Sequence, residues 1–179
     1  MAYAGVGLVY AAELISDCDR WSETERAAFK QWLTGVFVPA CLQRASSERA
    51  GNNRTNRALL GLAAAYHFLD DRDSLRTLIG WLKLEVDRQI AADGHMPAET
   101  ARGYQGLWYT YFGLAPLTAA FQIAWNAEGV DLFRYATDRD GIPWPFSFQT
   151  GRNIKMRPAE LCVFISWPFR NVGARLTPP

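Results

Sequence analysis

The segment DRDSLRTLIGWLKLEVDRQI, residues 71–90, places apolar side chains at intervals of three and four residues. This spacing returns the side chains to one face of an α-helix, because a helix turns by about 100° per residue. The apolar positions are Leu75, Leu78, Ile79, Leu82, Val86 and Ile90. The segment therefore predicts a helix with one buried face. We expect Asp93-Gly94 to end it, because glycine readily adopts the left-handed conformation that follows a helix.

The helical period recurs along the chain, and the alternation typical of strands is nearly absent. Ser22 and Glu25 match a capping box, which predicts a helix running towards Val36, with Pro39 disturbing its continuation. Asn53 is predicted to cap a helix over about 54–69. Further helices are predicted over about 5–16, over about 100–126 with a bend near Pro116, and over about 158–167, with loops over 48–53 and 142–149.

These patterns predict an all-α protein of antiparallel helical pairs joined by short loops. Its 179 residues suit a single domain over 1–179 with a sizeable core, and an apolar content of 49% argues against disorder. The pairing fits an α/α toroid or part of one, and a plain helical bundle is the alternative.

Composition excludes several functional classes. A formal net charge of +1 gives no global basic field for nucleic acid. The apolar stretch 6–15 is short and contains Glu13, so it predicts a core helix and not a membrane span. The N-terminus shows no basic segment of the kind that begins a signal peptide. The cysteines and histidines lack the number and spacing of a metal site. They are Cys18, Cys41, Cys162, His67 and His95.

A polar set stands out from the apolar helices. Arg102 and Tyr109 are seven positions apart, which returns them to one face of a continuous helix, with Gln105 between them. A guanidinium, an amide and a phenol in one line suit an anionic sugar. Two further groups precede them, namely Asn52-Asn53-Arg54 and the run from Asp93 to Glu99.

The ordered pattern of Asn52-Asn53, then Asp-Gly-x-x-Pro-x-Glu-x-x-Arg over 93–102, then Tyr109 resembles the alginate lyase superfamily of polysaccharide lyases. The resemblance spans roughly 3–135, and a weaker similarity continues to Phe169. It corresponds mainly to the C-terminal half of the family fold, so we expect the N-terminal half to be missing. The resemblance implies an enzyme that acts on an anionic polysaccharide or oligosaccharide. The family is typically periplasmic or secreted, but no signal peptide is visible in this chain, so its localisation stays open. Because no set of metal ligands appears, we expect no cofactor.

The resemblance also implies the chemistry, which is β-elimination on a uronate. Asn53 and an arginine would neutralise the uronate carboxylate, and Tyr109 would serve as base and acid. Arg54 stands where many family members have a histidine base, and arginine is a poor base at neutral pH. Three interpretations stay open: Tyr109 carries out all the proton transfer, the substrate geometry differs, or activity has been lost.

Several neighbours are candidate substrate-binding residues, each with a structural alternative. Asn52 also suits a turn, Glu99 also suits the first turn of a helix, and Trp108 also suits the core. Gln105 and His95 complete the set, the latter at the rim of a cleft, while Glu99 is expected to orient Arg102 or Arg54. The functional alternative is a non-catalytic carbohydrate-binding or interaction module derived from a truncated lyase. An incomplete toroid would expose apolar helix faces, which predicts self-association.

Overall fold

The computed structural model describes residues 2–46, 51–91 and 93–135. Those residues form helices and turns without any strand, which confirms the all-α prediction. The segments predicted over 142–149 and 158–167 lie outside them. The helices are α1 (Ala2–Leu14), α2 (Glu23–Trp32), α3 (Val38–Ala45), α4 (Asn53–Phe68), α5 (Arg72–Gln89), α6 (Pro97–Thr100) and α7 (Gly106–Glu128). None of the described helices combines the length and apolar character needed to cross a membrane.

The start of α2 has the predicted capping box. The Glu25 N–H donates to Ser22 Oγ at 3.3 Å, and the Ser22 N–H donates to Glu25 Oε2 at 2.9 Å. Beyond Trp32 the chain widens into a π-helical segment, Leu33–Phe37, and then continues as α3. The distortion therefore lies just before Pro39, which occupies the first turn of α3, where a missing N–H costs little.

Helix α4 lies at the centre of the described fold and packs against α1, α3, α5 and α7. Ten of its sixteen residues are buried, and small side chains allow its neighbours to approach closely. A Cβ atom on Gly61 would lie 2.9 Å from Cys41 Sγ and 3.2 Å from Phe37 Cζ. The middle of α4 is thus fitted to its neighbours with no room for a larger residue.

Helix α5 confirms the predicted apolar face. Leu75, Leu78, Ile79, Leu82 and Val86 are buried, while Ile90 is half-buried just beyond the last turn. The predicted stop at Asp93-Gly94 was placed too late, because the helix ends at Gln89. Gly94, with φ of 86°, serves the following turn instead, where its N–H donates to the Ala91 carbonyl at 2.9 Å.

The predicted helix over about 100–126 is two helices. Helix α6 ends at Thr100, a 3₁₀ turn covers Gly103–Gln105, and α7 begins at Gly106. Gly103 has φ of 63°, a left-handed conformation that interrupts a right-handed helix. Helix α7 then runs through Pro116 to Glu128, and Gly129 closes it in the left-handed conformation.

Helices α5 and α7 run antiparallel, and both ends of the pair are tied. At one end Arg72 and Arg76 at the start of α5 donate to Glu128 at the end of α7, at 3.1 and 2.8 Å. At the other end Asn56 connects the two helices. Its side chain donates to Gln89, the last residue of α5, and to the carbonyl of Gly113 in the first half of α7. This pairing agrees with the antiparallel arrangement expected from the sequence, whereas closure into a toroid stays a prediction.

A buried amide pair joins α4, α5 and α7. Asn56 Nδ2 donates to Gln89 Oε1 at 2.8 Å and to the Gly113 carbonyl at 2.9 Å. Gln89 Nε2 returns a bond to Asn56 Oδ1 at 2.6 Å and donates to Glu85 Oε2 at 2.6 Å. Because each amide donor and acceptor of the pair has a partner, the group fixes three helices without leaving a buried polar atom unpaired.

We predict that Asn56→Ala lowers the free energy of unfolding by about 3 kcal/mol, because it removes two hydrogen bonds of the Gln89 side chain and one hydrogen bond of the Gly113 carbonyl. Urea unfolding followed by circular dichroism measures the loss. Asn126→Ala, an exposed asparagine on α7, is the matched control and should change stability by less than about 0.5 kcal/mol. Equal stabilities for the two variants would contradict the role of the amide pair.

Candidate functional site

The N-terminus of α4 presents the asparagine pair. The sequence predicted Asn53 as the cap, but the cap is Asn52, whose Oδ1 accepts the Arg54 N–H at 2.9 Å. Asn53 is instead the first helical residue and is only 3% exposed. The prediction was wrong by one residue because either asparagine is suited to capping, and only the tertiary fold distinguishes them.

Glu99 is the centre of the site. Its side chain is fully buried, yet it is a carboxylate in the single turn of α6. Glu99 Oε1 accepts the Asn53 backbone N–H at 2.6 Å, and both carboxylate oxygens accept Asn53 Nδ2, at 2.9 and 3.1 Å. Arg102 Nε donates to Glu99 Oε2 at 2.9 Å. These bonds place an anion at the positive end of α4 and join it to a guanidinium, which offsets the cost of its burial.

Arg102 and Tyr109 meet, although by a different route from the one predicted. The Arg102 guanidinium carbon lies 4.2 Å from the centre of the Tyr109 ring. The two residues are not on one continuous helix, because the chain breaks at Gly103. Gln105 is exposed in the 3₁₀ turn and donates to the Tyr104 hydroxyl at 3.3 Å, so the predicted straight line of three polar groups is absent.

The Arg102 guanidinium is well placed to act on an anionic ligand. Glu99 takes the Nε–H, and the group carries four more N–H donors. Its side chain is about a third exposed, while Tyr109 is half-buried. A cation above a phenol ring stabilises negative charge that develops on that phenol, and it can also bind a carboxylate through two parallel hydrogen bonds.

Arg54 and His95 occupy the surroundings of this centre. Arg54 follows Asn53 at the start of α4, and its side chain is exposed. His95 is exposed in the turn before α6, and its Nδ1 pairs with Asp93 Oδ1. Hydrogen bonds from the His95 side chain and backbone lower the pKa of the Asp93 carboxyl. The His95 side chain therefore has a hydrogen-bond partner within its own loop, namely Asp93.

The first half of α7 carries aromatic side chains that the sequence interpretation assigned mainly to the core. Trp108 is 61% exposed and Tyr111 is 53% exposed, and their rings stack with centres 6.0 Å apart. Phe112 lies beneath them, with its ring centre 5.0 Å from that of Trp108. From the sequence, Arg57 could share in binding a carboxylate or be a solvated surface charge; in the structure it is half-buried with its guanidinium carbon 5.1 Å from the Phe112 ring centre.

Sequence reasoning did not name Tyr111 as part of this region. A usable signal existed, because Tyr111 lies one helical turn after Trp108. The part of the chain that the structure describes holds no group of three histidine, cysteine, aspartate or glutamate side chains arranged to bind a metal ion. The described groups at the site are the Glu99 carboxylate, a phenol, guanidinium groups, amides and aromatic faces.

Comparison with known proteins identifies one family. A family model described as alginate lyase matches residues 4–142, a range that contains every residue of the candidate site. Neither the curated proteins nor the solved structures gave a match.

We predict that Glu99→Gln lowers the free energy of unfolding by about 2–3 kcal/mol, because the new amide places an N–H₂ group against donors from Asn53 or Arg102. Urea unfolding measures the change. Glu23→Gln removes an exposed first-turn acid from α2 and should cost less than about 0.5 kcal/mol. If Glu99→Gln were as stable as the parent, the buried carboxylate would not be holding the site together.

Proposed function

The chain belongs to the alginate lyase family, and we propose that it cleaves a uronic-acid-containing polysaccharide by β-elimination. The family match supports polysaccharide lyase function in general. The observation that carries the proposal further is the contact of Arg102 with Tyr109, with 4.2 Å between the guanidinium carbon and the ring centre. This pair brings a proton-transfer group and a carboxylate-binding group to one place.

The proposed reaction makes two demands on the protein. A base removes the proton at C5 of the uronate, and the electron pair forms a double bond between C4 and C5 while the bond from C4 to the glycosidic oxygen breaks. The departing oxygen then takes up a proton. Because the C5 proton lies beside a carboxylate, removing it adds negative charge to an anion, and a nearby cation stabilises the resulting enolate-like state.

We assign both proton transfers to Tyr109. The Tyr109 ring lies against the Arg102 guanidinium, whereas the nearer carboxylate, Glu99, is fully buried and already accepts from Asn53 and Arg102. One group can serve both steps when the C5 proton and the leaving oxygen lie on the same face of the sugar. Arg54 stays charged at neutral pH and so is assigned to binding, not to the removal of a proton. This assignment confines the enzyme to substrates with that same-face geometry.

We assign neutralisation of the uronate carboxylate to Arg102 and Arg54. The resemblance assigns this role to Asn53 as well, but Asn53 is buried and its amide nitrogen donates to Glu99. In our proposal Asn53 and Glu99 act together as positioning residues that hold Arg102 in place. The remaining binding contacts are proposed to come from Asn52, Gln105, Trp108 and His95, each partly or fully open to solvent.

A non-catalytic carbohydrate-binding module is the second candidate. The exposed Trp108–Tyr111 stack favours it, because such a surface binds a sugar face whether or not the bound chain is cleaved. The two candidates differ in one measurable product. Incubation with a panel of uronate polymers yields the ultraviolet absorbance of an unsaturated uronate only if the chain is a lyase.

We predict that Tyr109→Phe lowers the initial rate of unsaturated-uronate formation by about 10²–10⁴-fold on the best polymer of that panel. The substitution removes only the phenolic oxygen, so the ring still packs against Phe112 and Arg102. Tyr66→Phe is the matched control, since Tyr66 is half-buried like Tyr109 and lies in the last turn of α4, at the opposite end from Asn53. Its rate should stay within about twofold of the parent, and circular dichroism should show equal helix content in both variants.

We predict that Arg102→Lys lowers the initial rate of unsaturated-uronate formation by about 10-fold or more, although the charge is kept. Lysine lacks the planar guanidinium that bonds to Glu99 and lies on the Tyr109 ring at the same time. Parent-like turnover in Tyr109→Phe would remove Tyr109 from the mechanism. Parent-like turnover in Arg102→Lys would instead leave Tyr109 as the sole catalytic group.

A further inference from the structure

We infer that Arg57, Trp108 and Tyr111 form a second uronate-binding subsite, which holds the sugar next to the one being cleaved. The inference rests on the proposed function and adds to it a statement about the length and charge of the substrate. The three residues lie on α4 and α7, the two helices that also carry Arg54 and Tyr109.

The stacked aromatic pair supplies the face of the subsite. Trp108 and Tyr111 are one helical turn apart, both are more than half exposed, and their rings are inclined by only 27° to each other. Two near-parallel rings make a broad apolar surface, and leaving it in water is unfavourable. The ring of a sugar has an apolar face of C–H groups that suits such a surface.

Arg57 supplies the charge of the subsite. Its guanidinium lies over Phe112, and Phe112 makes an edge contact with Trp108, so the cation and the aromatic pair belong to one packed layer. Contact with the ring and partial burial hold the guanidinium in one orientation, which reduces the entropy lost when it binds. Its planar group matches a carboxylate through two parallel hydrogen bonds.

The layer is continuous with the proposed catalytic pair. Phe112 also contacts the Tyr109 ring, with centres 6.3 Å apart, and Tyr109 carries Arg102 on its face. The order along the surface is therefore Arg102, Tyr109, Phe112 and Arg57, with Trp108 beside Phe112. A polymer held by Arg102 at the reacting uronate reaches Trp108 with its neighbouring sugar.

Charge favours an acidic glycan over a second copy of the chain. Arg54, Arg57 and Arg102 bring three cations to this region, and Glu99, the carboxylate that the described residues bury there, is bound to Asn53 and Arg102. A symmetric dimer through the aromatic pair would bring both sets of arginines together, and like charges across an interface oppose association. A polyuronate instead supplies one negative charge with each sugar.

The test measures binding in the full chain carrying Tyr109→Phe, which prevents cleavage. The probes are uronate monomers and saturated uronate tetramers prepared from alginate and from polyglucuronate, with neutral maltotetraose as the uncharged probe. Isothermal titration calorimetry should show at least one tetramer binding more tightly than its monomer. Adding Trp108→Ala or Arg57→Gln should weaken tetramer binding by about tenfold, the effect of losing one stacking or charge-assisted contact, and monomer binding by less than about twofold.

Two matched controls separate the subsite from general surface effects. Trp125→Ala removes a 46% exposed tryptophan from the far end of α7, and Arg134→Gln removes an exposed arginine outside the layer. Both should bind the tetramer like the parent. Circular dichroism checks that Trp108→Ala and Arg57→Gln are folded, and Tyr111→Ala gives a second aromatic test because that side chain is also more than half exposed.

Several results would overturn the subsite. These are unchanged tetramer binding in all three variants, equal losses for monomer and tetramer, binding of maltotetraose with the same affinity, no binding of any uronate, or a parent protein dimer in sedimentation that Trp108→Ala dissociates. The proposed function fails separately, through turnover: if Tyr109→Phe keeps the parent rate, the catalytic assignment is wrong even where Trp108 governs tetramer binding. If turnover is lost but Trp108 has no effect on binding, only the subsite is wrong.

Discussion

The bond network of Glu99 is the constraint on which the site depends. Burying a carboxylate costs several kcal/mol unless donors surround it, and here the donors are the Asn53 backbone and side-chain amides and Arg102 Nε. The carboxylate in turn fixes the positions of Asn53 and Arg102. The first turn of α4 is fixed against α6, and the guanidinium is fixed at the point where it can lie on the Tyr109 ring. Removing the carboxylate would leave both groups without their common acceptor.

The Glu99 bonds require a fixed position of α4, and a second set of hydrogen bonds holds that helix in place. Asn56 lies one turn after Asn53 and bonds to Gln89 on α5 and to the Gly113 carbonyl on α7. Gly113 lies one turn after Tyr109, so Asn56 of α4 also fixes the position of α7 near Tyr109. The fold and the site are thus joined through neighbouring turns of α4, and a shift of this helix would disturb both.

Local patterns in the sequence predicted the elements that depend on local forces. The apolar face of α5 and the capping box of Ser22 and Glu25 follow from spacing within a few residues, and the structure has both. The shift of the cap from Asn53 to Asn52 and the break at Gly103 depend on tertiary contacts. Glu99 draws Asn53 into the helix, and Gly103 takes a left-handed conformation that its sequence permits but does not require.

The candidate site also combines features that follow from local spacing with features that depend on tertiary contacts. The pairing of Arg102 with Tyr109 was expected, but from a continuous helix that the structure does not have; the turn between α6 and α7 brings them together instead. The burial of Glu99 and the packing of Arg57 on Phe112 were not predictable from spacing. Both depend on which helix lies opposite, and an isolated charge in a sequence reads first as a solvated one.

The placement of Arg54 can be understood from the charges around it. A cation in the first turn of a helix opposes the helix dipole, so Arg54 alone would be unfavourable at this position. The buried Glu99 carboxylate lies at the same end of α4 and bonds to the preceding residue, which offsets that repulsion. Arg102 also draws on Glu99, and Arg57 adds a third cation, so three guanidinium groups of the described residues lie around one fully buried carboxylate. In our proposal the carboxylates of a polyuronate interact with this group of positive charges.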